Sequence, residues 1–339
     1  MKKHRRKRRG IASIIVAPLI CMACIFAAST AIQLLANTYT LPIPAPPMPG
    51  EENPRPATET VQNAPEEKPP AAAPINAAPP STTHLDDFFD QFGSNIGIFY
   101  KNLDTGFTYT YNADTVFFGA SLNKANHALH AYMAAERGYI DMYATHTFTA
   151  NDWWGGTGII RFMPAGTRFT TRELLRHSVV YSDNVAFRML ARYLENSGFT
   201  YRDFVQEIGA NPAFILCRYS NNTSAADTAL WFNAIREYTA SDSRYAHYLL
   251  DDLQNTAVYS HPYFTRGGTF GGDSDVNVQF IHASYPVAQK YGWFNGAFNT
   301  AGIVYAPSPY MLVIISNMDT GAHELFEEIS WMMEAFNAS

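Results

Sequence analysis

Cysteine is scarce in this chain. Three occur in 339 residues, and two of them, Cys21 and Cys24, lie inside one apolar run. Cys217 stands alone in the remainder, so no intrachain disulfide can form there and a folded core must hold by packing. Acid is absent from residues 1–37, which carry Lys2, Lys3, Arg5, Arg6, Lys7, Arg8 and Arg9. Charge of either sign is absent from residues 11–36, IASIIVAPLICMACIFAASTAIQLLA. Aromatic residues are nearly absent from 38–84, where Tyr39 stands alone among 13 of the 20 prolines. Between Glu207 and Asp227 there is no Asp or Glu.

Each absence excludes something. About 20 apolar residues suffice to span a bilayer, and a cationic flank stays in the cytoplasm. Residues 1–10 are therefore expected to be a basic cytoplasmic tail and 11–36 an uncleaved transmembrane anchor, with the rest outside. A cleaved signal peptide is the alternative. Residues 37–84 cannot bury a core and are expected to be a disordered linker. As polyproline II it would reach roughly 145 Å, at about 3.1 Å per residue. The basic run 2–9 could suggest nucleic acid. Residues 85–339, however, carry 15 Lys and Arg against 25 Asp and Glu, which argues against that partner.

What remains, 85–339, is long enough for one domain. HLDDFFDQFG reads as a short helix, and NIGIFYKNLDTGFTYTYNAD as a hairpin turning at Asp104-Thr105-Gly106. TTRELLRHSVV, NVAFRMLARYLENSG and SAADTALWFNAIREYTA read as helices, the first capped by Thr170 or Thr171 with Glu173 near its first turn. VAQKYGWF, TAGIVYA and YMLVIISN read as strands, and HELFEEISWMMEAF as a closing helix. The order predicts an α+β fold: an antiparallel sheet completed by both ends of the chain and flanked by helices, with an all-helical subdomain inserted.

Three short patterns carry chemistry. Ser121 and Lys124 open the stretch SLNKANHALHAYMAAE, three residues apart and so on one helix face. A serine hydroxyl becomes a nucleophile when a neighbouring base takes its proton, and a lysine with a lowered pKa can be that base. The alternative is a capping serine and a solvated lysine. YSDN, 181–184, falls between two helices, where Ser182 and Asn184 could face a cleft or simply cap the second helix. QKYGW, 289–293, places Lys290 and Gly292 in an apolar strand, as site residues or as an edge-strand guard. His127 and His130 read as packing residues. No metal-ligand spacing and no cofactor motif is evident.

Together, Ser-x-x-Lys, Ser-Asp-Asn and Lys-x-Gly, in that order on helix, loop and strand, resemble the penicillin-recognising serine hydrolases, most closely the class A β-lactamase-like domain. The separations, 61 residues from Ser121 to Ser182 and 108 from there to Lys290, suit that family. The resemblance covers 85–339 and implies a β-lactamase/transpeptidase-like fold. It implies that Ser121 is acylated by a β-lactam or a peptidoglycan peptide, that Lys124 helps deprotonate it, and that Ser182 relays a proton to the leaving nitrogen. Asn184 would hold the substrate amide, Lys290 would attract its carboxylate, and Tyr291, Gly292 and Trp293 would line the site. Backbone N–H groups of Ser121 and of Trp293 or Phe294 would form the oxyanion hole. Trp153 and Trp154 either line the cleft mouth or lie in a surface turn.

Two departures stand out. The region that should carry a deacylating glutamate, NPAFILCRYSNNTSAADTA, has no acid before Asp227, and Asn221, Asn222 and Arg218 are not bases at neutral pH. Glu195 and Glu207 are the acids that could swing in. Tyr291 stands where the family has Thr or Ser. The sequence thus predicts acylation with poor deacylation, and the competing reading is a non-catalytic cell-wall-binding module that keeps the fold.

Overall fold

The structure, a computed structural model, describes residues 80–210, 222–256, 280–294, 296–319 and 322–339. The expected tail, anchor and nearly all of the expected linker lie outside the described residues, as do Arg218 and Asn221. Among the described residues no helix is long and apolar enough to cross a membrane. The first helix, α1 (Thr83–Asp90), begins two residues inside the segment read as linker.

Five strands form one antiparallel sheet: β1 (Ile96–Asn102), β2 (Thr108–Tyr111), β7 (Val287–Phe294), β8 (Ala297–Val304) and β9 (Tyr310–Ser316), in the order β2-β1-β9-β8-β7. The N-terminal hairpin and the C-terminal strands meet through β1 and β9, Phe99 facing Val313. Gly106, at φ +75°, supplies the hairpin's left-handed residue.

Both faces of the sheet are covered, which is why β8 and β9 are buried throughout and mostly apolar rather than alternating. Tyr310, Leu312 and Ile314 of β9 pack with Leu85 and Phe89 of α1 and with Phe326, Ile329 and Met333 of α8 (Ala322–Asn337). Met311, Val313 and Ile315 face the other way, into a core shared with the inserted helices. That insertion holds α2 (Asn123–Glu136), α3 (Thr171–Val180), α4 (Asn184–Glu195), α5 (Tyr201–Glu207), α6 (Ala225–Thr239) and α7 (Ala246–Gln254). Short strands β3 (Phe117–Phe118) and β6 (Asn222–Thr223) pair with each other, as do β4 (Thr145–Thr147) and β5 (Arg168–Thr170).

Helix α2 is buried on nearly every side, including Asn123, Lys124, Asn126 and His130. Its alanines allow close packing from several directions, so it forms the axis of the helical block. His130 Nε2 contacts the Phe199 carbonyl at 2.9 Å, and His127 stacks on Tyr201 at 4.4 Å. Both histidines are packing residues. Thr170 caps α3 in a full capping box with Glu173.

The fully buried Asp252 of α7 takes both arms of Arg172 on α3, at 2.6 and 2.9 Å. Removing Arg172 leaves a buried carboxylate short of its main partner. Arg172→Met should cost about 3 kcal/mol in denaturant unfolding. Arg176→Met, at the more exposed partner, should cost under about 1 kcal/mol.

Candidate active site

The site assembles where the start of α2, the α3–α4 turn and edge strand β7 converge. Ser121 sits in the 3-10 turn 120–122 that leads into α2. The residue before it, Ala120, has φ +49°, and Ser182 has φ +53°. Left-handed backbone at two non-glycine residues is strain that the surrounding packing must hold, and it commonly marks functional sites.

Gly292 is what lets β7 approach. A Cβ there would lie 2.1 Å from the Gly119 carbonyl oxygen and 2.9 Å from the Ser121 nitrogen. The strand therefore runs against the backbone of the nucleophile turn. Asn299, buried on β8 and paired with Gly292, fastens the two together. Its Nδ2 donates to the Phe118 and Gly292 carbonyls, both at 3.1 Å, and its Oδ1 accepts from the Ser316 nitrogen at 3.0 Å.

Lys124 is buried one turn after Ser121, and its amine turns toward the α3–α4 turn. Nζ donates to the Ser182 carbonyl at 2.5 Å and to Asn184 Oδ1 at 2.6 Å, and lies 3.2 Å from Ser182 Oγ. Burial pushes this amine down to about 7, against an upward pull from the Asp183 carboxylate. A neutral amine has two hydrogens, which these two carbonyl oxygens take up. Its lone pair is then left to accept a proton.

Lys290, also fully buried, reaches the same serine from β7. Its Nζ lies 3.1 Å from Ser182 Oγ, 3.0 Å from the Tyr291 carbonyl and 3.9 Å from the centre of the Tyr291 ring. Burial first, and the Lys124 amine second, pushes Lys290 well below the usual lysine range. Ser182 thus bridges two amines through one hydroxyl.

A glycine-rich loop locks the turn from behind. Asp183 caps α4, accepting from Val185 and Ala186 at 2.8 and 3.0 Å and from the Ile160 nitrogen at 2.9 Å. Asn184 Nδ2 donates to Gly155 O at 2.7 Å, and Thr157 Oγ1 to Ser182 O at 2.6 Å. Gly156 and Gly158 have φ near +100°, and a Cβ on either would strike Asn184 or Asp183 within 2.3 Å. Trp153 and Trp154, at the head of this loop, are largely exposed, at 56% and 42%. Phe118 and Phe294 pair edge to face at 6.0 Å beside the nucleophile turn.

The structure brings Ser121, Lys124, Ser182, Asn184, Lys290 and Gly292 together. Trp293 is half-buried next to them. Tyr291, which stands where the family has Thr or Ser, is buried, with its ring stacked on Phe280 at 4.3 Å. Burial raises its phenol above the usual value, opposed by a side-chain hydrogen bond with Ser182. Neither acid considered for deacylation is near. Glu207 pairs with Arg137, beyond the far end of α2. That is about 21 Å from the α2 start, for a helix rising 1.5 Å per residue. Glu195 is exposed at the far end of α4 from Asn184. Asn222 is exposed and faces Phe118 across the β3–β6 pair. Sequence reasoning missed Asn299 and Thr157. The one available signal for Asn299 was an amide in an otherwise apolar strand.

A serine in a strained turn, a buried amine one turn further on and a strand backed onto that serine's amide fit a serine hydrolase. The profile of the beta-lactamase enzyme family matches residues 80–333, and the chain belongs to that family. Solved structures agree in fold. PBP-A is 20% identical with a TM-score of 0.59, over 76% of this chain and 97% of that one. A β-lactamase from Sphaerobacter thermophilus is 17% identical with a TM-score of 0.58, over 76% and 98%. An ancestral class A β-lactamase is 19% identical with a TM-score of 0.57, over 75% and 98%. No curated protein is similar enough to count as a relative.

Gly292→Ala should shift β7 off the nucleophile turn. The expected result is a folded protein whose Ser121 reacts at least tenfold more slowly with an acylating probe, read by mass spectrometry of the Ser121 peptide. An unchanged rate would mean that the strand is not needed at that spacing.

Proposed function

We propose that this chain is a membrane-tethered serine hydrolase whose Ser121 is acylated by β-lactams or by cell-wall peptides outside the cytoplasmic membrane, and which deacylates slowly. The observation that carries the acylation half is the buried Lys124 amine, pushed down to about 7 one turn after Ser121. Ser121 Oγ attacks the carbonyl carbon while its proton passes to the Lys124 lone pair. The oxyanion gathers at the Ser121 N–H and a β7 N–H. The C–N bond then breaks, and a proton reaches the nitrogen through Ser182, which Lys124 and Lys290 can both resupply. With a β-lactam the nitrogen stays attached, so nothing departs from the site. A PBP-A mutant captured as an acyl-enzyme with penicillin G supports the same chemistry on a similar fold, at 19% identity and a TM-score of 0.60 over 76% of this chain and 96% of that one.

Slow release rests on the missing base. Water needs a general base to attack the ester. Residues 208–226 offer no carboxylate, and Glu195 and Glu207 are placed away from Ser121. The tether rests on the basic residues 2–9 followed by the uncharged run 11–36. Protease added to intact cells should degrade the domain while sparing cytoplasmic markers. Full protection would reverse the topology.

Labelling with fluorescent penicillin beside Ser121→Ala tests the reaction. Label that needs Ser121 and persists for many minutes is expected. Loss within seconds would mean an efficient lactamase, and no label would favour the binding module. Lys124→Ala should slow acylation at least a hundredfold. The wild-type rate should rise with pH through about 7 and level off above it, because the deprotonated amine is the active form. Tyr291→Thr removes a buried ring stacked on Phe280, and the lost packing should cost about 3 kcal/mol in denaturant unfolding.

A further inference from the structure

Away from the cleft, the last helix gathers a second set of chemically capable side chains. His323 and Glu327 lie four residues apart on α8 and so share a face. His282, on the segment entering β7, packs against that face. Its ring lies 5.5 Å from that of His323, nearly perpendicular at 87°. His282 Nδ1 is 4.0 Å from Glu327 Oε1, too far for a hydrogen bond. Its other nitrogen, Nε2, is buried without a hydrogen-bond partner among the described residues. One ligating atom from each of the three residues lies within 4.8 Å of the other two. Ligands around a tetrahedral ion at about 2.0–2.1 Å stand about 3.3 Å apart, so closure of at most about 1.5 Å completes such a site.

We propose that His282, His323 and Glu327 form a divalent-metal site, whose two imidazoles and one carboxylate suit zinc and leave a fourth position to water. The surroundings fit. Helix α8 carries Glu324, Glu327, Glu328 and Glu334 and no Lys or Arg, so its field draws cations. Trp331 Nε1 donates to Glu327 Oε1 at 3.5 Å and so helps orient the carboxylate. Phe280 and Phe298 stand edge-on to His323, at 6.3 and 6.4 Å, and wall the site on one side. Glu327 is half-exposed and gives the ion a way in.

The site would act as a clamp. The nitrogens of Phe280 and Ile281 donate to Gln289 Oε1 of β7 at 3.1 and 2.9 Å, and Phe280 stacks on Tyr291. An ion between His282 and α8 would therefore pin the backing of β7 to the final helix. This inference does not depend on which carbonyl Ser121 attacks.

The test uses the full chain, stripped with a chelator and titrated with zinc chloride against a chromophoric competitor. One zinc per chain is expected. His323→Ala and Glu327→Gln should each weaken binding at least tenfold, while His247→Ala, at an exposed site elsewhere, should leave it unchanged. Cobalt(II) should give the intense visible bands of a tetrahedral site in the wild type. That reading needs no variant, and it decides the matter even if a variant fails to fold. Failure to compete for zinc at micromolar concentration, weak octahedral cobalt bands, or unchanged affinity in the His282→Ala, His323→Ala double variant would each overturn the proposal.

Discussion

Everything in the cleft depends on keeping one amine out of water. Lys124 is useful because burial makes its charged form expensive, and an amine in water would stay protonated near neutral pH. Burial alone would destabilise the domain, so the surroundings have to meet its N–H groups. They do so with the Ser182 carbonyl and Asn184 Oδ1. Ser182 presents its carbonyl to Lys124 from a left-handed backbone, and the Asp183 cap and Thr157 hold that turn. The glycines at 156 and 158 follow in turn, because any side chain there would displace Asn184 or Asp183. One desolvated nitrogen thus accounts for a strained serine, a helix cap and a loop.

Much of this was legible in the sequence, because the chemistry needs particular residue types at particular spacings. Ser121 and Lys124 had to share a helix face, and Gly292 had to be small for a strand to touch the nucleophile's amide. The capping box at Thr170 and Glu173 and the three C-terminal strands were visible for the same kind of reason, since local hydrogen bonds and burial leave local patterns. What escaped was whatever depends on distant partners. Asn299 works by joining Phe118, Gly292 and Ser316, three points far apart in the chain. His282 meets His323 and Glu327 only because β7 lies over α8. Helix α7 was missed because its start, at Tyr245, has no side-chain cap to announce it.

Tyr291 shows why a residue type read in isolation misleads. From the sequence alone, a tyrosine in place of a small hydroxyl residue means either a ring that lines the cleft or impaired binding of the family's usual substrate. Strand β7 is an edge strand, however, and its residues alternate between two packed faces. The ring turns into the layer that holds Phe280 and Phe298 and comes to rest against the Lys290 amine. Its polar contacts are therefore with Lys290 and Ser182.

The two lysines are best understood as one unit. They face the same hydroxyl, and charge on either disfavours charge on the other. When the pair holds a single proton, the question is which amine carries it. An anionic substrate arriving beside β7 would draw that proton to Lys290, where the Tyr291 ring face also favours a cation. Lys124 would then be the neutral partner at the moment Ser121 needs a base. On the proposed function, substrate charge thus prepares the nucleophile. On the same proposal, a water attacking the ester afterwards would find neither Glu195 nor Glu207, the acids considered for deacylation, beside Ser121.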